Sequence, residues 1–480
     1  MESALIRLRW QANDSYGNVA VPWDFKQLLR RASTEADLEP KLESASPPDP
    51  FGWNFRSRSI AQWVVLGVTI GVLAGIASAI FLHLLELATH IRNENHDLVY
   101  LLPAAGLLLG LFYDRWGKPI RGGNNLVIDT VHEDSPQLPV RMAPMVLVGT
   151  VLTHLFGGSA GREGTAIQMG AGLADGVAHR FSVPADTRRE LLAAGIAGGF
   201  GSVFGTPIAG AIFGLEVVVV GRMSYEAMLP ALVAAVVGDL VTRSLGIVHT
   251  PYPVVASLSL TPLLVAKWCA FGIAVAAVST GFVEIVHFLK EKLERWIRWL
   301  PVRMMVGGFA VMALWRLSGT DDYLGLGVPT ILRSFTDPAL PRYAFAAKLL
   351  FTAVTLSVGF QGGEVTPLFF VGAALGNVLG HFLGIPLDLA AGVGMAATFA
   401  AAANTPIALS IMAVELLGGG VLPHVAIVSV VAYLLTGHRG IYPSQRIARP
   451  KHGGPALEGL LPLREINGVT TMTRLEGEAR

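Results

Sequence analysis

The 480-residue sequence predicts an all-α polytopic membrane protein, and three observations carry that prediction. Charged side chains make up 15% of the chain against roughly 25% in a soluble domain, while 52% of residues are hydrophobic and the mean hydropathy is +0.53. Uncharged runs long enough to cross a bilayer recur through the middle of the chain. Those runs are punctuated by many of the 54 glycines and 28 prolines, about 17% of all residues. A membrane helix must satisfy its own backbone, so this many breakers means interrupted spans.

The balance of charge narrows the function. With 36 Lys and Arg against 35 Asp and Glu, the net charge is +1. An electrostatic nucleic-acid binder would need a clustered basic excess. A single cysteine, Cys269, excludes an intramolecular disulfide framework and a thiolate metal cluster. No zinc-ligand spacing or Walker loop is present, so neither a cofactor nor ATP drive is expected.

Taken in order, residues 1–59 are polar and mixed in charge and lack a secretory apolar core, which predicts a cytoplasmic N-terminal segment. Ile60 to Leu85 is an uncharged run of 26 residues, the first span. Uncharged stretches follow from Leu191 to Leu215, Pro367 to Leu387 and Leu389 to Val414. Between Ala344 and Thr436 only Lys348, Glu364, Asp388 and Glu415 are charged, and each requires a reason. The basic segment from Lys290 to Arg303 is the strongest positive-inside signal, placing it and both termini in the cytoplasm. The expected division is a transmembrane transport domain over 60–442, in halves of about 60–245 and 262–442, and a short cytoplasmic tail over 443–480. That tail is too short for a regulatory domain, which implies a transport core alone.

The breaker clusters repeat. Gly161-Arg162-Glu163-Gly164-Thr165 is answered by Gly362-Gly363-Glu364-Val365-Thr366-Pro367. Gly205-Thr206-Pro207 with Glu216 is answered, 199 residues on, by Asn404-Thr405-Pro406 with Glu415. Paired discontinuous helices in two halves point to a transporter's midplane site. Each cluster opens a helix, so free N–H groups and positive dipole ends are expected to face one central region that favours an anion. Glycines serving only close helix packing would explain the small residues but not the repeated Glu-x-Thr.

These motifs resemble the CLC family of chloride channels and anion/proton antiporters. Gly161-Arg162-Glu163-Gly164 resembles its signature loop, Gly205 to Glu216 the helix that follows, and Gly362 to Pro367 its third anion loop. Tyr442, in Arg-Gly-Ile-Tyr-Pro, falls at the family's anion-binding tyrosine. The resemblance implies a CLC-type inverted-repeat bundle of tilted and discontinuous helices, a homodimer, and a transporter rather than an enzyme. Three departures refine it. Gly122-Gly123-Asn124-Asn125-Leu126 replaces the serine-bearing chloride loop, Val217 stands where many proton-coupled members carry an inner glutamate, and Glu364 introduces a carboxylate where chloride members are apolar. The combination resembles the bacterial fluoride/proton antiporter branch.

That resemblance implies export of cytoplasmic fluoride driven by inward proton flow, conferring fluoride resistance, in a bacterial inner membrane. A chloride/proton antiporter or passive chloride channel is the nearer alternative. Fluoride, small and tightly hydrated, requires strong, closely spaced donors. Asn125 and Asn124 with Thr366, Tyr442 and the N–H groups around Gly161 and Arg162 supply the expected anion site. Helix N-capping competes as a role for the asparagines. Glu163 is the expected gate and proton carrier; a structural pair with Arg162 is disfavoured because adjacent helical residues point to different faces. Glu364 is the expected inner proton relay, with a dipole cap as its alternative. Glu216 and Glu415 read as structural acceptors at the membrane edge. Gly157-Gly158-Ser159-Ala160-Gly161, with His154 or His381 as base, formally matches a nucleophile elbow, but an apolar helix precedes it rather than a strand.

Overall fold

A computed structural model describes residues 53–132, 137–255, 257–451 and 460–466. The expected cytoplasmic segment therefore lies, up to residue 52, outside the described residues. The chain is helical nearly throughout. The first half comprises α1 (Trp53–Glu94), α2 (Leu102–Trp116), α3 (Asn124–Val131), α4 (Met142–Leu155), α5 (Glu163–Arg180), α6 (Ala185–Phe204), α7 (Pro207–Glu216) and α8 (Met228–Ser244). The second comprises α9 (Pro262–Trp296), α10 (Leu300–Ser318), α11 (Val328–Arg333), α12 (Ala344–Ser357), α13 (Val365–Leu383), α14 (Leu387–Ala403), α15 (Pro406–Leu417) and α16 (Leu422–Leu435).

Among the described residues six helical segments are long and apolar enough to cross a membrane, including Ile60–Glu94, Pro262–Trp296 and Val365–Leu383. The 35 residues from Ile60 to Glu94 span about 52 Å, well beyond a hydrocarbon core of about 30 Å, so α1 must tilt or project. Several others are short apolar helices such as Pro207–Glu216 and Pro406–Leu417. The uncharged run from Leu191 to Leu215 is thus two helices. Gly205 ends α6 in the left-handed conformation (φ 72°) and Asn404 ends α14 likewise (φ 60°), so the repeat mates break at matching positions.

The two halves are packed by one device. A Cβ on Gly170 of α5 would stand 2.2 Å from the Gly195 carbonyl of α6, and one on Gly372 of α13 would stand 2.2 Å from the Gly394 carbonyl of α14. Backbone contact this close admits only glycine, and it brings antiparallel helices together without side-chain interdigitation.

The chain beyond Tyr442 extends the packed body. β2 (Arg446–Ile447) pairs in parallel with β1 (Val219–Val220), which follows α7, and antiparallel with β3 (Leu461–Pro462). Gln445, fully buried, donates to the Val217 and Ala403 carbonyls and accepts from Asn404 Nδ2, tying this segment to both halves.

Candidate anion and proton site

The signature loops of the two halves lie back to back. Gly161 N–H donates to Gly363 O at 2.6 Å and Gly363 N–H returns to Gly161 O at 2.8 Å. This crossing brings the N-termini of α5 and α13 to the same point. A side chain on Gly363 would meet the Gly164 nitrogen at 2.7 Å, so the crossing depends on glycine.

Glu163, fully buried at the start of α5, turns its carboxylate into that junction. Oε2 accepts from the backbone N–H of Arg162 at 3.0 Å and of Thr366 at 3.2 Å, while Oε1 accepts from the Thr366 hydroxyl. The donors of Arg162 and Thr366 are therefore held by the Glu163 carboxylate itself. Arg162 reaches Glu163 as well, with Nε 3.5 Å from Oε1. The pairing disfavoured on helical geometry occurs because Arg162 occupies the N-cap and is not yet helical neighbour to Glu163 in the sense that argument assumed.

Around this junction several polar atoms have no hydrogen-bond partner among the described residues: Tyr442 Oη, Asn124 Oδ1 and Glu364 Oε2. Tyr442 is buried, and its ring lies within Coulombic reach of both Glu163 and Glu364. The Asn124 amide lies where a side chain on Gly164 would meet it at 2.9 Å, so it faces the α5 start. Asn125 does something else. Its Oδ1 accepts from Ser444 N–H at 3.1 Å, holding the segment that carries Tyr442. Asn124 and Tyr442 line a narrow crevice together with Val127, Ile128, Phe213 and Val217, and Val217 brings no titratable group to it. Glu364 occupies the N-cap of α13, on the side of the junction toward Lys290.

Only two of the four breaker clusters point at this junction. Glu216 at the end of α7 accepts from Ile407 and Ala408 N–H at 3.1 and 2.8 Å, at the start of α15. Glu415 at the end of α15 accepts from Ile208 and Ala209 N–H at 3.0 and 2.7 Å, at the start of α7. Each half thus caps the other's broken helix. The expectation that all four positive helix ends face one centre is corrected here: two of them are neutralised reciprocally by glutamates.

The remaining charges in the apolar stretch also find reasons. Lys348, fully buried, donates to the Tyr323 and Gly325 carbonyls at 3.1 and 2.6 Å and faces the Phe370 ring. Asp388 sits in the first turn of α14, where the helix dipole favours it. The elbow-like motif shows no nucleophile and base in contact: Ser159 Oγ pairs with Thr352 Oγ1, His154 is engaged by the Thr150 and Ala160 carbonyls, and His381 lies against Pro338 O.

A protein from Pseudomonas syringae pv. tomato described as a chloride/fluoride channel protein is 46% identical over 405 residues, covering 83% of this chain and 89% of that one. An H(+)/Cl(-) exchange transporter of Vibrio cholerae is 26% identical over 420 residues, covering 80% and 88%. Among solved structures, a CLC-type fluoride/proton antiporter superposes with a TM-score of 0.79 at 35% identity, over 81% of this chain and 99% of that one. A slow cyanobacterial Cl-/H+ antiporter, at 18% identity and a TM-score of 0.67, shares the fold. The profile of the voltage gated chloride channel family matches residues 105–437, and the chain belongs to that family, the CLC proteins.

Proposed function

We propose that the protein is a fluoride/proton antiporter that exports cytoplasmic fluoride against inward proton flow. The observation that carries this reading is the seating of the Glu163 carboxylate on the N–H and hydroxyl of Thr366. Those donors suit a small anion, and they are released when Glu163 takes a proton and withdraws. Anion and proton then exchange at one seat. Asn124 and Tyr442 complete the donor set, and Glu364, with an unpartnered Oε2 on the Lys290 side, carries the proton inward where Val217 has no proton to give. The described names of the Pseudomonas relative and of the antiporter structure support fluoride as cargo. The reading places the chain in a bacterial inner membrane as a homodimer, with Lys290 to Arg303 and both termini in the cytoplasm, where it confers fluoride resistance.

The test is efflux from proteoliposomes recorded with a fluoride electrode beside a chloride electrode, with pH followed in the same vessel. Fluoride efflux accompanied by proton uptake is expected. Coupled chloride exchange would make it a chloride antiporter, and chloride flux without proton movement a channel. Changing Glu364 to Ala should reduce fluoride transport about tenfold or more; an indifferent variant would return Glu364 to a capping role.

A further inference from the structure

α2 and α10 run antiparallel in close backbone contact. Side chains on Gly106 and Gly110 would meet the backbone of Met304 at 2.7 Å and of Pro301 at 2.4 Å, and one on Gly308 would meet that of Pro103 at 2.7 Å. Continued toward the end of α2, this seam brings Arg115, Trp116 and the following Lys118 to the elbow between α9 and α10, which holds Arg298 and Trp299. α9 itself is 35 residues long, about 52 Å, so its last turns, with Lys290 and Lys292, reach past a hydrocarbon core of about 30 Å.

The carboxylates at this rim are already matched. Asp114 pairs with Arg121, Glu291 with Arg295 and Glu294 with Arg303, while Glu284, further back on α9, pairs with Arg439. Arg115, Lys118, Lys290, Lys292 and Arg298 are left, and none of them has an ion pair among the described residues. The guanidinium of Arg115 lies over the Trp116 ring and the ammonium of Lys292 over Phe288. The rings between the cations face outward: Trp116 is 49%, Trp299 53% and Trp296 79% exposed. Indoles beside surplus cations at the end of spanning helices belong to the headgroup layer of a bilayer. An acidic protein surface would meet the cations but gives the indoles no apolar layer to enter. A lipid supplies both, a phosphate above and acyl chain below.

We infer that this rim docks anionic phospholipid of the inner leaflet, with Arg115, Lys118 and Arg298 on the headgroup phosphate and the Trp116 and Trp299 rings at the acyl boundary. The inference goes beyond the transport reading and stands whether the cargo is fluoride or chloride. Only the choice of leaflet rests on the orientation proposed above.

The experiment titrates the purified full chain in dodecylmaltoside with phosphatidylglycerol or phosphatidylcholine and counts retained lipid by native mass spectrometry. The wild-type chain should retain phosphatidylglycerol in preference to phosphatidylcholine. Each of Arg115→Gln, Lys118→Gln and Arg298→Gln should weaken phosphatidylglycerol binding about fivefold, and the three together about a hundredfold, with phosphatidylcholine unaffected. Arg298→Lys should keep most of the preference. Equal retention of the two lipids by the wild-type chain, or undiminished phosphatidylglycerol on the triple variant, overturns the proposal. Displacement of the lipid by millimolar inorganic phosphate would overturn it too, since the cations would then serve a soluble ion. The leaflet is tested apart from the binding. Arg298→Cys in a Cys269→Ala background should escape an impermeant maleimide in intact cells, and labelling there would refute the inner-leaflet assignment.

Discussion

Thr366 offers its backbone N–H and its hydroxyl to the two oxygens of one carboxylate, and in the proposed exchange this is the seat that the anion takes. Thr366→Val keeps the N–H and the shape but deletes the hydroxyl. Losing one charge-assisted hydrogen bond is worth on the order of 1.5 kcal/mol, about tenfold in affinity. The half-saturating fluoride concentration measured by electrode should rise by that factor, while an unchanged value would move the seat elsewhere. The placement of Glu163 and Thr366 at two helix starts was legible in the sequence, because a glycine turn followed by an acidic group, repeated in the second half, is a local pattern. The contact of Asn125 with Ser444 was not legible, because it joins residues 319 positions apart.

At the scale of elements, the break positions were readable from Gly, Asn and Pro, and α5, α7, α13 and α15 begin within a residue or two of where the clusters place them. The partners of the broken ends were not readable. Nothing local in Glu216 says that its carboxylate serves α15, because that contact arises only when the halves cross. Glu216→Ala should leave two N–H groups at the α15 start uncapped and cost about 1–2 kcal/mol. Thermal unfolding in detergent should show a lower midpoint for this variant and for Glu415→Ala, with the proton-to-fluoride ratio intact; a changed ratio would instead place these glutamates on the proton path. Gly372→Val meets a carbonyl at 2.2 Å. Helix packing of this kind has no room to adjust, and the variant should not yield a folded protein in a size-exclusion profile.

The whole molecule is two halves held by reciprocal caps, crossed glycine loops and a C-terminal segment that touches both. The sequence indicated a tail from 443, yet Gln445 and Lys451 belong to the packed body. Lys451 donates to Asn404 Oδ1, the Tyr433 carbonyl and Thr436 Oγ1, and burial pushes its ammonium down to about 7. Between about pH 7 and pH 10 the unfolded chain keeps a proton that the folded chain has released, so stability should rise with pH across that window. Lys451→Met should flatten the slope; identical melting curves for both proteins at about pH 7 and pH 9 would contradict it.

The central claim is that the anion and the Glu163 carboxylate compete for one seat, and that protonation decides between them. Simultaneous recording of fluoride and proton fluxes in proteoliposomes carrying Glu163→Gln tests it most directly. A glutamine cannot carry the proton, so proton movement coupled to fluoride should vanish while the wild-type protein, run alongside, shows both fluxes in fixed ratio. Coupled fluxes that persist in the variant at the wild-type ratio would contradict the account.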